Sequence, residues 1–173
     1  MERLMPPVNR LKFRGVLPTY PESCFVAPNA TVMGNVTMGE GSSIWYGATL
    51  RGDVNSITIG EMTNIQDKAV IHVAQHNPAK AALPTVVGSH VTIGHGAILH
   101  ACTIEDEVLV GMGAKVLDGA IVRRGAIVGG GAVVAPGTEV PSGQVWAGCP
   151  ARYLRDVDAS ESAFLAVSAH NYA

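Results

Sequence analysis

At 173 residues the chain has room for one domain rather than two. Hydrophobic residues make up 47% but aromatics only 5% and charged residues 15%, too apolar for disorder and too poor in large rings for an ordinary layered core. The net charge of −2 provides no basic field for nucleic acid or acidic membranes. Cys24, Cys102 and Cys149 are widely spaced with no CxxC, indicating neither a disulfide framework nor a cysteine zinc site.

Residues 1–25 read as an extended lead-in without a repeating pattern. Arg3, Arg10, Lys12 and Arg14 make it basic, but it is too short and too poor in serine to be more than a remnant of a mitochondrial presequence. From Val26 onward an aliphatic residue returns every six positions: Val26, Val32, Met38, Ile44 and Leu50, then Ile59, Ile65 and Ile71, then Val87, Ile93 and Leu99. After one five-residue step the series continues from Ile104 through Val110, Val116, Val122, Val128 and Val134 to Val140. Four positions after many of these stands Ala, Val or Thr. A period of six belongs neither to a helix nor to one long strand.

The physical solution is a coil of short parallel strands, three hexapeptides to a triangular turn, with the aliphatic side chain pointing into a prism too narrow for aromatics. The fold expected is therefore all-β, a left-handed parallel β-helix of about six coils, spanning 26–151. Residues 152–173 form a C-terminal segment. In it, Asp158 and Glu161 read as a capping box opening an α-helix. Phe164, Leu165, Val167 and Tyr172 supply the stripe that packs on the prism. No apolar run long enough to cross a bilayer escapes interruption by glycine, proline or charge.

Two gaps break the series. One, between Leu50 and Ile59, carries Arg51-Gly52-Asp53. The other, between Ile71 and Val87, leaves residues 74–84 as a loop projecting from the prism, the usual place for function on a monotonous scaffold.

The repeat phase places the histidines. His72 follows Ile71 and His100 follows Leu99, the middle repeats of successive coils, so both face outward on one side, about 4.8 Å apart. Arg51 holds the same place one coil earlier. His95 falls two residues after Ile93, aligned with Asp67 and around a corner from His100. One chain does not bring His95 to an ion held by its own His72 and His100, whereas a neighbouring prism in a three-fold ring does. Three imidazoles with an open fourth position are the pattern of a catalytic zinc site. His76 in the loop and His90 between repeats read as solvated, and His170 on the helix is uninformative.

These residues resemble the gamma-class carbonic anhydrases, through Arg51-Gly52-Asp53, Asn64-Ile65-Gln66-Asp67, His72, and Gly94-His95-Gly96 followed by His100, over residues 24–155. The look is nearest to the mitochondrial subgroup of plants and algae, whose members also serve in the membrane arm of respiratory complex I. The resemblance implies that His72 and His100 of one subunit and His95 of the next bind zinc, with iron or cobalt equally suited to an all-histidine set. It implies that Gln66 hydrogen-bonds the zinc-bound hydroxide, that Asn64 helps define a small pocket, and that Arg51 and Asp67, counted with these two as catalytic, pair across the trimer interface beside the bicarbonate region, with Asp53 also at that interface. It further implies a homotrimer or a heterotrimer of related chains, carbon dioxide and bicarbonate as substrate and product, and a mitochondrial location, the alternative being cytoplasmic. Val54 and Gln75 stand where the archaeal form has proton-exporting glutamates, which leaves His76 as the candidate shuttle. The competing functions are a structural complex I subunit that keeps the site, and a hexapeptide acyltransferase.

Overall fold

The computed structural model describes residues 10–75 and 83–172. The strands stack in parallel on three faces. The first carries Arg10–Leu11, the opening half of Thr31–Met38, the opening half of Thr49–Ile59, Val70–His72, Ile98–His100, Lys115–Val116 and Val133–Val134. The second carries the closing halves of the two long strands, then Thr85–Val87, Thr103–Ile104, Ile121–Val122 and Glu139–Val140. The third runs from Phe25–Val26 through Ser43–Ile44, Asn64–Ile65, Thr92–Ile93, Leu109–Val110 and Ile127–Val128 to Gln144–Ala147. This is a parallel β-helix of about seven turns.

That is one turn more than the repeats number. Arg10 pairs with Val32, and Thr19 bridges to Thr37, so residues 10–26 form an opening coil. Strand pairing needs only backbone groups, and an end coil has a neighbour on one side alone, so it escapes the six-residue aliphatic rule. Tyr20 and Cys24 pack against the core there instead.

Inside the prism, Val32, Ile44, Leu50, Ile65, Ile71, Ile93, Leu99, Val110, Val116, Val122, Val128 and Val134 have no exposed surface. Each is worth about 1.5–3 kcal/mol of burial. The small residue four positions on proves to be the second interior layer: Ala48, Ala69, Ala97, Ala114, Ala120, Ala126 and Ala132 are equally buried. Valine takes the same place at Val36, Val91 and Val108 and threonine at Thr63, so the layer is built of small and β-branched side chains. Many corners hold a residue at positive φ, usually glycine, as at Gly96 (φ 66°) and Gly131 (φ 67°).

The prism closes with Arg152–Asp156, which returns antiparallel to Gln144–Ala147. Helix α1 follows over Ala159–Tyr172. Its capping box forms as expected: Glu161 N–H donates to Asp158 Oδ1 at 2.8 Å, and Asp158 N–H donates to Glu161 Oε2 at 3.1 Å. Arg155 also grips Glu161 with both terminal nitrogens, at 2.6 and 2.7 Å. Asp158→Ala is expected to cost about 1 kcal/mol and to fray α1, read as lost amide-exchange protection confined to residues 159–165.

The buried stripe of α1 differs from the expected one. Leu165, Ser168 and Ala169 face the prism, and the Tyr172 ring meets Trp45 edge-on at 6.1 Å. Phe164 (56% exposed) and Val167 (55%) point away. Spacings of three and four from Leu165 define one helical face, and Phe164 and Val167 lie off it. The Tyr172 carbonyl accepts hydrogen bonds from Ser43 Oγ and Trp45 Nε1, docking the helix end on the third face.

Candidate metal centre

The coil register brings His72 and His100 together. Met33, Arg51, His72 and His100 are successive partners across four first-face strands. The two imidazole rings lie 5.2 Å apart, centroid to centroid, tilted by 53°. Both are partly buried, with their backbones fixed in the ladder.

Asp53 organises one side of this pair. Its Oδ1 lies 2.9 Å from His72 Nε2, and its Oδ2 accepts from Arg51 Nη1 at 2.6 Å. Burial alone would raise the Asp53 carboxyl. The His72 hydrogen bond and the Arg51 charge outweigh it and hold the group below the usual carboxylate range. Arg51 remains half-exposed, so most of its guanidinium fork is open to another group. On the other side, His100 Nδ1 lies 2.5 Å from Asp118 Oδ1. Sequence reasoning passed over Asp118. Its signal was its place directly after Leu117, the residue that falls one coil on from His100 once the five-residue step is counted.

The strands here approach very closely. A Cβ on Gly52 would stand 2.4 Å from the Asn35 carbonyl oxygen, and one on Gly34 (φ 76°) would stand 2.3 Å from that of Gly52. Glycine in Arg51-Gly52-Asp53 is thus required by backbone contact with the preceding coil, and it lets the flanking Arg and Asp converge on His72.

A second cluster occupies the corner after the third face. His95 Nδ1 lies 3.0 Å from Asp67 Oδ2, one coil below it as the repeat phase predicts. Asp67 Oδ1 also accepts the Tyr46 N–H at 3.0 Å. These residues, with Asn29, Gly47, Lys68 and Gly96, line an open depression of about 650 Å³. Gln66 and Asn64 sit on the third face below it, both buried. Asn64 donates from Nδ2 to Thr92 Oγ1 at 3.0 Å, while its Oδ1 is buried without a hydrogen-bond partner.

The chain therefore presents two separate clusters: Arg51, Asp53, His72, His100 and Asp118 on the first face, and Asn64, Gln66, Asp67 and His95 on the third face and its corner. Among the described residues, no three His, Cys, Asp or Glu side chains are grouped to hold a metal ion within one chain. The donor chemistry suits one nonetheless, because each imidazole has a carboxylate hydrogen-bonded to one ring nitrogen, which leaves the other for a metal, as metal-binding histidines usually do. Arg51 pairs with Asp53, and Asp67 with His95, inside the single chain. His76 lies outside the described residues. Val54 and Gln75 are exposed, as are His90 and His170.

The chain is 50% identical over 136 residues to the probable carbonic anhydrase of Methanocaldococcus jannaschii, covering 79% of this chain and 82% of that one. It belongs to the gamma carbonic anhydrase family. Gamma carbonic anhydrase 1, mitochondrial, of Arabidopsis thaliana is 51% identical over 155 residues, 90% of this chain. The match covers 56% of the plant protein, so the chain spans little more than half the length of that family member. Among solved structures, a hexapeptide transferase family protein from Anaplasma phagocytophilum superposes with a TM-score of 0.88 at 43% identity, covering 94% of this chain and 93% of that one. No protein-family model matches the chain.

Proposed function

We propose that the chain catalyses the reversible hydration of carbon dioxide to bicarbonate at a metal, zinc in the first instance, held between the subunits of a trimer. His72 and His100 of one subunit and His95 of the next would be the ligands. The observation that carries this is the in-register pair of imidazoles, 5.2 Å apart, on a different face from the His95 cluster. Membership of the family supports the reaction assigned.

A metal of this kind, when bound, lowers the pKa of its water to about 7 and so supplies a nucleophile at neutral pH. The chain's own groups do the rest. Arg51 offers a planar cationic fork matched to a carboxylate-like product, and Asp53 holds both it and His72. Gln66 immediately precedes Asp67, the carboxylate partner of His95, and its amide offers both a hydrogen-bond donor and an acceptor to the site. Asn64 supports that wall.

A second reading is a structural subunit of the complex I membrane arm with weak or no turnover. It is favoured by Val54 and Gln75, which put no carboxylate for proton export at the rim. A mitochondrial location rests on the plant relatives, with the cytoplasm as the alternative. A hexapeptide acyltransferase shares the coil but has no use for three ordered histidines. Stopped-flow carbon dioxide hydration by the zinc-loaded protein is the test. A rate above buffer supports the enzyme, and none from a zinc-containing trimer supports the structural reading. Absence of both zinc and trimer overturns the shared site.

A further inference from the structure

We infer that Asp118 is a positioning residue which sets the tautomer of His100 and aims its Nε2 at the metal, an inference that rests on the metal-site reading above. Three of the described histidines have a carboxylate within 3.0 Å, and they are the three on the candidate site: His72, His95 and His100. Neither His90 nor His170 has such a partner among the described residues. The His100–Asp118 contact, at 2.5 Å, is the closest of the three.

The backbone holding Asp118 is clamped on both sides. Its carbonyl accepts the Gly137 N–H at 2.9 Å, and the next residue, Gly119 (φ 69°), donates its N–H to Ala101 O at 2.7 Å. Ala101 directly follows His100, so the carboxylate and the imidazole are anchored to the same pair of coils. Asp118 is not shared with a cation as Asp53 is with Arg51. Among the described residues, His100 is the side chain to which it is hydrogen-bonded. An ionised carboxylate only accepts, so the facing Nδ1 carries the hydrogen and Nε2 keeps its lone pair. This is the orientation that a metal-binding imidazole needs, and outer carboxylates of this kind are worth about 10–100-fold in metal affinity.

The test pairs a spectroscopic reading on metal-free protein with Zn²⁺ affinity measured by chelator competition, for wild type, Asp118→Asn and Asp118→Ala. In wild type, the imidazole ¹⁵N shifts of His100 are expected to show hydrogen on Nδ1 alone. Asp118→Ala is expected to mix the tautomers and to weaken Zn²⁺ binding tens-fold. Asp118→Asn, which keeps a neutral acceptor, should fall between. Asp118 is a third exposed and is not among the buried core residues, and thermal melting checks that each variant is folded. A wild-type His100 protonated on Nε2, or unchanged tautomer and affinity in a folded Asp118→Ala, overturns the inference. If wild type takes up no Zn²⁺, the metal reading fails on its own, while the nitrogen shifts still decide whether Asp118 sets the tautomer.

Discussion

His95→Ala and His100→Ala proteins, each inactive alone, are expected to regain carbon dioxide hydration when unfolded together and refolded as a mixture. Each variant alone should lose at least about 100-fold in rate, because even the outer partners of such ligands are worth 10–100-fold. The recovery follows from the placement of the two clusters on different faces: in the proposed trimer, a heterologous ring interface would join the first face of one subunit to the His95 corner of the next. A His95→Ala subunit keeps His72 and His100 intact, and a His100→Ala subunit keeps His95. With random association at equal amounts, about a quarter of the interfaces would unite an intact first face with an intact corner. Activity and bound zinc should therefore both return to about a quarter of wild type. A site complete within one chain would give no recovery, and mixing His72→Ala with His100→Ala, which damage the same face, should give none in either case.

The second large effect concerns Gly34 and Gly52. Alanine at Gly34 combines a positive φ of 76° with a methyl 2.3 Å from the Gly52 carbonyl oxygen. The atom in the way is backbone belonging to a neighbouring coil, so the two strands must part. Strain of the left-handed backbone and overpacking together should cost about 3 kcal/mol or more. Gly52→Ala meets the Asn35 carbonyl at 2.4 Å and should cost a similar amount through packing alone. Gly131→Ala is the control: φ is 67° but nothing lies within 4 Å of the added methyl. Only the backbone term of about 1–2 kcal/mol remains there. Denaturant melts of the three variants should rank accordingly, and equal losses would show that corner strain rather than strand approach is what matters. Gly52→Ala should also lower activity before it unfolds the protein, since parting the strands moves Arg51 and Asp53 away from His72.

Most of the scaffold and the main features of the site were legible in the chain because a six-residue period closed in threes ties distant positions together. Once Ile71 and Leu99 are known to point inward on successive coils, His72 and His100 must stack outside, and Asp67 must fall beneath His95. Backbone geometry alone enforces those relations, whatever the side chains do. The second interior layer of Ala, Val and Thr follows from the same period, as does the scarcity of aromatics.

What only the tertiary structure decided lies where the period stops or where side chains choose among neighbours. The opening coil over residues 10–26 pairs through backbone groups and leaves no aliphatic signature. Helix α1 could have turned Phe164 and Val167 inward, but docking on Ser43 and Trp45 selected Leu165, Ser168, Ala169 and Tyr172 instead. Asp118 was in plain view eighteen residues after His100, yet nothing local distinguishes it from a solvated corner acid. The nitrogen that each imidazole turns toward its carboxylate, Nε2 in His72 and Nδ1 in His95 and His100, is likewise set by side-chain torsions. The sequence determines the coil because its period repeats a local rule, and the tertiary structure selects the partners of the candidate site's side chains because those contacts are made between coils.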